Sequence, residues 1–148
     1  MTFGELIAGL GKNLGVELTD EGGAAAVEVD GIPVVLQRAS DDLLLVHADL
    51  GEIAPENRER VLAAAMEANF LYQGTGGATL AVDARDGHLH LQKYNWFNRL
   101  DAEKAAADIA RFADIARMWK GLVAETAASA SVAADDPSAP MPGGFMKV

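Results

Sequence analysis

The chain has 148 residues, half of them apolar, with 22 acidic against 12 basic side chains and a formal net charge of −10. That length and apolar content suit one domain that builds its own core without metal or disulfide staples. Cysteine is absent, which excludes disulfide scaffolds, thiolate metal sites and cysteine nucleophiles, and the acidity opposes nucleic-acid phosphates, which require clustered cations.

The opening MTFGELIAGLGKNLG carries no basic leader before a long apolar run, so no export signal is expected. Glu67 and the glycines after it break the longest apolar candidate, VLAAAMEANFLYQGTGG, below the roughly 20 residues of a membrane span, and a soluble protein without membrane insertion is expected.

Thr2 and Glu5 have the spacing of a capping box, and Phe3, Ile7, Leu10 and Leu14 share a helical face, which predicts a first helix to about Leu14. AAAVEVD and IPVVLQRA are β-rich runs joined at Asp30-Gly31, a dipeptide that tolerates the positive φ of a tight hairpin. LLLVHADL then supplies a third antiparallel strand, because the connection before it is too short for a crossover. Pro55 suits a first helical turn and Glu56 and Glu59 face the positive helix end, so a second helix is expected from about Ala54 to Tyr72. ATLAVDA and HLHLQKY flank Asp86-Gly87 as a second hairpin. Asp101 is a good N-cap for a third helix with Ile109, Phe112, Ala116, Trp119 and Val123 in one stripe. From Ala127 the Ala-, Ser-, Pro- and Gly-rich remainder lacks periodicity, which predicts a domain over 1–126 and a disordered tail over 127–148. The fold class is α+β, in the order α-β-β-β-α-β-β-α, with a twisted antiparallel sheet and three helices.

Candidate chemistry is sparse. Gln73-Gly74-Thr75-Gly76-Gly77 leaves a helix and enters a strand, the reverse of a phosphate loop, and no Gly-Lys-Ser/Thr follows. His88 and His90 point to one strand face but lack a third ligand, so no metal is expected. His47 and Asp49 could couple, yet no serine stands ready as a nucleophile: Ser40 lies in a polar turn and the others lie in the tail. Asp20-Glu21 and Asp41-Asp42 read as solvated turn formers, and Trp96-Phe97 as a plug at the core edge rather than a ligand platform. No catalytic residue and no cofactor is expected. The anomaly is apolar excess: Ile32, Val34 and Leu36 oppose Pro33 and Val35 on one strand, and Leu43 and Leu45 oppose Leu44, Val46, Ala48 and Leu50 on the next. Both faces ask for cover, and exposed apolar patches mark contacts, so an interaction protein fits better than an enzyme.

The element order, size and acidity resemble the small homodimeric chaperones of bacterial type III secretion, the Tir chaperone (CesT-like) family. The stronger likeness is the stretch Glu67-Ala68-Asn69-Phe70-Leu71-Tyr72-Gln73-Gly74-Thr75-Gly76-Gly77-Ala78, followed by Leu80-Ala81-Val82-Asp83, Asp86-Gly87 and Leu89-His90-Leu91. The resemblance covers about residues 1–126 and implies a cytoplasmic homodimer, without ATPase activity, that holds the N-terminal segment of a secreted effector in extended form. It implies partner-binding grooves on the first helix and first sheet half, with Ile7, Leu10, Leu14, Val34, Val35, Leu44 and Leu45 as candidates and the choice of sheet face open. It implies a subunit interface on the second helix and second hairpin, with Asn69, Phe70, Leu71, Leu80 and Val82 as candidates. Two other readings share the pattern in part: a YbjN-like α+β binding module unrelated to secretion, and a small-molecule enzyme using His88, His90 or Asp49.

Overall fold

The chain enters its first helix through the capping box, in which the Glu5 amide donates to the Thr2 hydroxyl at 3.2 Å and the Thr2 amide donates to the Glu5 carboxylate at 2.7 Å. The computed structural model describes the backbone of residues 1–135 and the side chains of residues 1–126. Its elements run α1 (Phe3–Leu14), β1 (Ala24–Val29), β2 (Ile32–Arg38), β3 (Leu43–Glu52), α2 (Arg58–Asn69), β4 (Thr79–Val82), β5 (His88–Trp96) and α3 (Ala102–Asp135). This is the order expected from the sequence, and the five strands form one antiparallel sheet, β1-β2-β3-β5-β4. The first hairpin turns at Asp30 (φ 48°) and Gly31 (φ 80°), the left-handed pair that a two-residue turn requires.

α3 packs along β3 and β2, and α1 packs against α3. The alternation of each strand then decides burial: Val34, Leu36, Leu44, Val46, Ala48, Leu50, Leu80, Leu89 and Leu91 meet Leu6, Ile7, Leu10, Ile109, Phe112 and Ala116 in one core. At the polar end of that face Lys93 reaches Asp108 at 2.6 Å and ties β5 to α3. Phe97 plugs the core edge as expected, edge-on to Phe3 with ring centroids 6.3 Å apart. Trp96 does not join it. β5 runs on to Trp96, whose alternation puts the indole on the uncovered face, half exposed.

Three helix boundaries differ from expectation. α2 starts at Arg58 rather than near Ala54, since Pro55–Asn57 form a separate 3₁₀ turn with Pro55 at its start. α2 stops at Asn69, and Phe70–Tyr72 form a short 3₁₀ turn with Leu71 and Tyr72 at positive φ. The reason is long-range: the Asn69 carboxamide leaves the helix to accept from the Leu80 amide at 2.8 Å and donate to the Leu80 carbonyl at 3.0 Å. α3 continues past Ala127 to Asp135, because alanine sustains a helix by its own propensity where apolar periodicity has already ended. The expected disorder of the rest of the tail, 136–148, lies outside the described residues.

β3 carries a bulge between Asp49 and Gly51, with Gly51 at φ 103°. Asp49 stabilises it twice, accepting from the Gly51 amide at 2.8 Å and pairing with His88 Nδ1 at 2.9 Å across the β3–β5 ladder. The hydrogen bond to Asp49 raises the His88 imidazole above its ordinary value, and its desolvation is too small to reverse this. For Asp49 desolvation is the largest single influence, but the Gly51 amide and His88 together outweigh it and hold the carboxyl below its ordinary range.

These contacts generate two expectations. Asn69→Ala leaves both Leu80 backbone groups unpaired and should cost about 1–3 kcal/mol in urea unfolding; an unchanged midpoint would mean that water replaces the carboxamide fully. For the strap, the raised His88 contributes below its ordinary pKa of about 6.5 and is lost as pH rises through its folded value, whereas the lowered Asp49 contributes above about 3.8 and is lost as pH falls through its own. Asp49→Asn should therefore lower stability most between about pH 4 and 6.5, the gap to the parent narrowing in alkaline solution. A gap that widens with pH would contradict this sign.

Candidate functional site

Among the described residues, no helix covers the second face of the sheet. Register places Leu43 opposite Trp96, Leu45 opposite Tyr94, and Val35 opposite His47. One end of the face is thus apolar and aromatic: Val35, Leu43 and Leu45 are half-buried, Tyr94 is 59% exposed and Trp96 50% exposed. The other end is polar, with His47, Asp49, His88, His90 and Gln92. Two shallow depressions flank His47 and His90. One, about 290 Å³, is lined by Leu45, Ala81, Asp83 and Gln92 among others, and the other, about 330 Å³, by Pro33, Val35, Asp49 and Lys120 among others. Burial, and then the neighbouring His90, lower the His47 imidazole below its ordinary value and favour its neutral form.

Pro33 lacks an amide, so the Glu28–Pro33 pair is not hydrogen-bonded, and alternation turns the amides and carbonyls of Ala26 and Glu28 away from β2. Among the described residues β1 is therefore an open edge. The opposite edge, β4, has its Leu80 amide and carbonyl taken by Asn69 and lies against α2.

A second exposed apolar group sits where α2 ends: Met66, Phe70, Leu71 and Tyr72, with Leu71 70% exposed at φ 52°. A leucine in the left-handed region is strained, and its exposure means that no packing within the chain compensates it.

The partner-binding candidates divide accordingly. Ile7, Leu10, Val34 and Leu44 are each at most 1% exposed and serve the chain's own core, and Leu14 packs at its margin. Val35 and Leu45 lie on the open face. Of the interface candidates, Phe70 and Leu71 are exposed, Val82 is half-buried, Leu80 is in the core and Asn69 holds the β4 edge. Sequence reasoning missed Tyr94 and Trp96 as surface residues, although their spacing continues His88, His90 and Gln92 at period two. The His47–Asp49 couple does not form a hydrogen bond; Asp49 pairs with His88. Among the described residues no helix is long and apolar enough to cross a membrane.

Comparison with known folds supports the same architecture. The Yersinia pestis type III secretion chaperone SycH, solved in complex with a fragment of YscM2, superposes with a TM-score of 0.64 at 23% identity, covering 80% of this chain and 99% of that one. The ExoT–SpcS complex from Pseudomonas aeruginosa matches with a TM-score of 0.62 at 20% identity, covering 78% of this chain and 95% of the other. YbjN from E. coli matches less well, with a TM-score of 0.55 at 16% identity over 83% of this chain and 88% of its own. Comparison with curated proteins gives no match. Residues 5–120, from within α1 into α3, match the model of the Tir chaperone protein (CesT) family, and the chain belongs to that family.

Proposed function

We propose that this chain is a homodimeric, cytoplasmic secretion chaperone that binds the N-terminal segment of a secreted effector in extended form and keeps it secretion-competent, without hydrolysing ATP or catalysing another reaction. The observation that carries the reading is the open face. Val35, Leu43, Leu45, Tyr94 and Trp96 offer apolar anchors beside the unpaired Ala26 and Glu28 backbone groups of β1. An extended segment can then use both terms of strand addition, main-chain hydrogen bonds at the edge and side-chain pockets on the face. The net charge of −10 biases encounter toward neutral or basic segments.

Dimerisation is proposed through the α2 terminus, where Met66, Phe70, Leu71 and Tyr72 are exposed together. Burial in a symmetric contact would compensate the strained Leu71 and leave the β1 edge free for the effector.

Light scattering should give a dimer mass for the parent and a monomer mass for the Phe70→Asp, Leu71→Asp double variant, which keeps its fold because Asp tolerates positive φ better than Leu. A monomeric parent would remove the dimer from the reading. Affinity isolation from the native host should recover a secreted protein bound through its N-terminal segment. Leu45→Asp should abolish that capture while preserving the fold, whereas Leu44→Asp, at a buried core position, should unfold the chain. Recovery of no secreted chain by the folded parent would overturn the proposed function.

A further inference from the structure

The turn between β4 and β5 brings two carboxylates back over a histidine on the open face. Asp83, Asp86 and His90 place one ligand atom each within 4.8 Å of one another. His90 Nε2 is shielded from solvent and has no hydrogen-bond partner among the described residues. A buried polar nitrogen without a partner is costly and asks for an explanation. Its neighbour His88 does not supply one: the two ring centroids stand 6.5 Å apart, and His88 Nδ1 pairs with Asp49.

We propose that Asp83, Asp86 and His90 form a binding site for a divalent transition-metal cation, independent of any secretion partner. The donor set is mixed: an imidazole nitrogen selects against Mg²⁺ and Ca²⁺, which favour all-oxygen shells, and two carboxylates with one imidazole suit Zn²⁺ and its neighbours. Both carboxylates are already positioned by the turn. Asp83 accepts from the Arg85 amide at 2.9 Å, and Asp86 accepts from the His88 amide at 2.9 Å. Bonds of about 2.0–2.2 Å set the final spacing of the three atoms, and the exposed Asp86 side chain is free to adjust to it.

Arg85 is the competitor. Its guanidinium grips both Asp83 oxygens at 2.6–3.2 Å but is itself 89% exposed, with Asp83 as its partner. An ion pair this open is weak and exchanges with solvent readily. The cation replaces it on Asp83 and adds Asp86 and His90, neither of which Arg85 bonds. Binding would then staple the β4–β5 turn to the strand that carries the polar end of the open face.

The test uses the untagged full chain, stripped with chelator and titrated calorimetrically with ZnCl₂ at about pH 7.5, where imidazole is neutral, with MgCl₂ as the control. One Zn²⁺ per chain is expected, with no saturable Mg²⁺ binding. Asp83→Asn, Asp86→Asn and His90→Ala should each weaken Zn²⁺ at least about tenfold, the two Asn variants retaining the acceptor that the turn uses. Arg85→Ala should tighten it about two- to fivefold. In the parent, paramagnetic Co²⁺ should broaden the His90 imidazole resonances before those of His47 and His88, a readout that needs no variant to fold. Absence of saturable Zn²⁺ binding, unchanged affinity in folded Asp83→Asn and Asp86→Asn chains, or earlier broadening of His47 or His88 would overturn the site.

Discussion

One-sided cover of the sheet is the constraint on which the rest depends. α3 lies along β3 and β2 and α1 leans on α3, so the period-two alternation of every strand converts into one dry face and one wet face. Val34 and Val35 are neighbours in sequence with the same side chain, yet the first is wholly buried and the second half-buried. Their difference is not chemical. It comes from which side of the sheet the helices occupy, and it places the same apolar excess either in the core or on the uncovered face.

The uncovered face is then graded along its length. Aromatic and aliphatic side chains gather where β3 begins and β5 ends, and ionisable ones gather at the Asp49 bulge and the β4–β5 turn. This grading follows from antiparallel pairing: the apolar start of LLLVHADL meets the aromatic end of β5, and its polar end meets the two histidines of HLHLQKY. Apolar contact and ionic chemistry are thereby separated on one surface, each in surroundings where it is least costly.

What the sequence made legible was local. Thr2 with Glu5, Asp30-Gly31 and Asp86-Gly87 each carry their conformation within a few residues, and each appears where the pattern places it. The face of Leu44 against Leu45 was not legible, because both parities of that strand are apolar and only the packing of α3 decides between them. The end of α2 was misjudged for a related reason. Phe70, Leu71 and Tyr72 extend an apolar helical pattern, but Asn69 is engaged with Leu80 across the following turn, and that contact has no signature in a window of one helix. The grouping of Asp83 and Asp86 with His90 was hidden likewise, since spacing along β5 pairs His90 with His88, whereas the turn folds two acids back toward it.

The Asn69 bracket on β4 also bears on how far such a sheet can grow. A sheet with two open edges is a bifunctional monomer: each addition regenerates the acceptor, and stacking continues without limit into fibres. Here the Leu80 amide and carbonyl of one edge are already engaged by a carboxamide, which opposes strand addition at β4 and leaves β1 the freer edge. Two copies that met through β1 would exhaust each other's open edge, and a guest strand seated there would do the same. Growth by backbone pairing is thereby disfavoured beyond one step, because the bracketed β4 edge is the poorer template for a further strand.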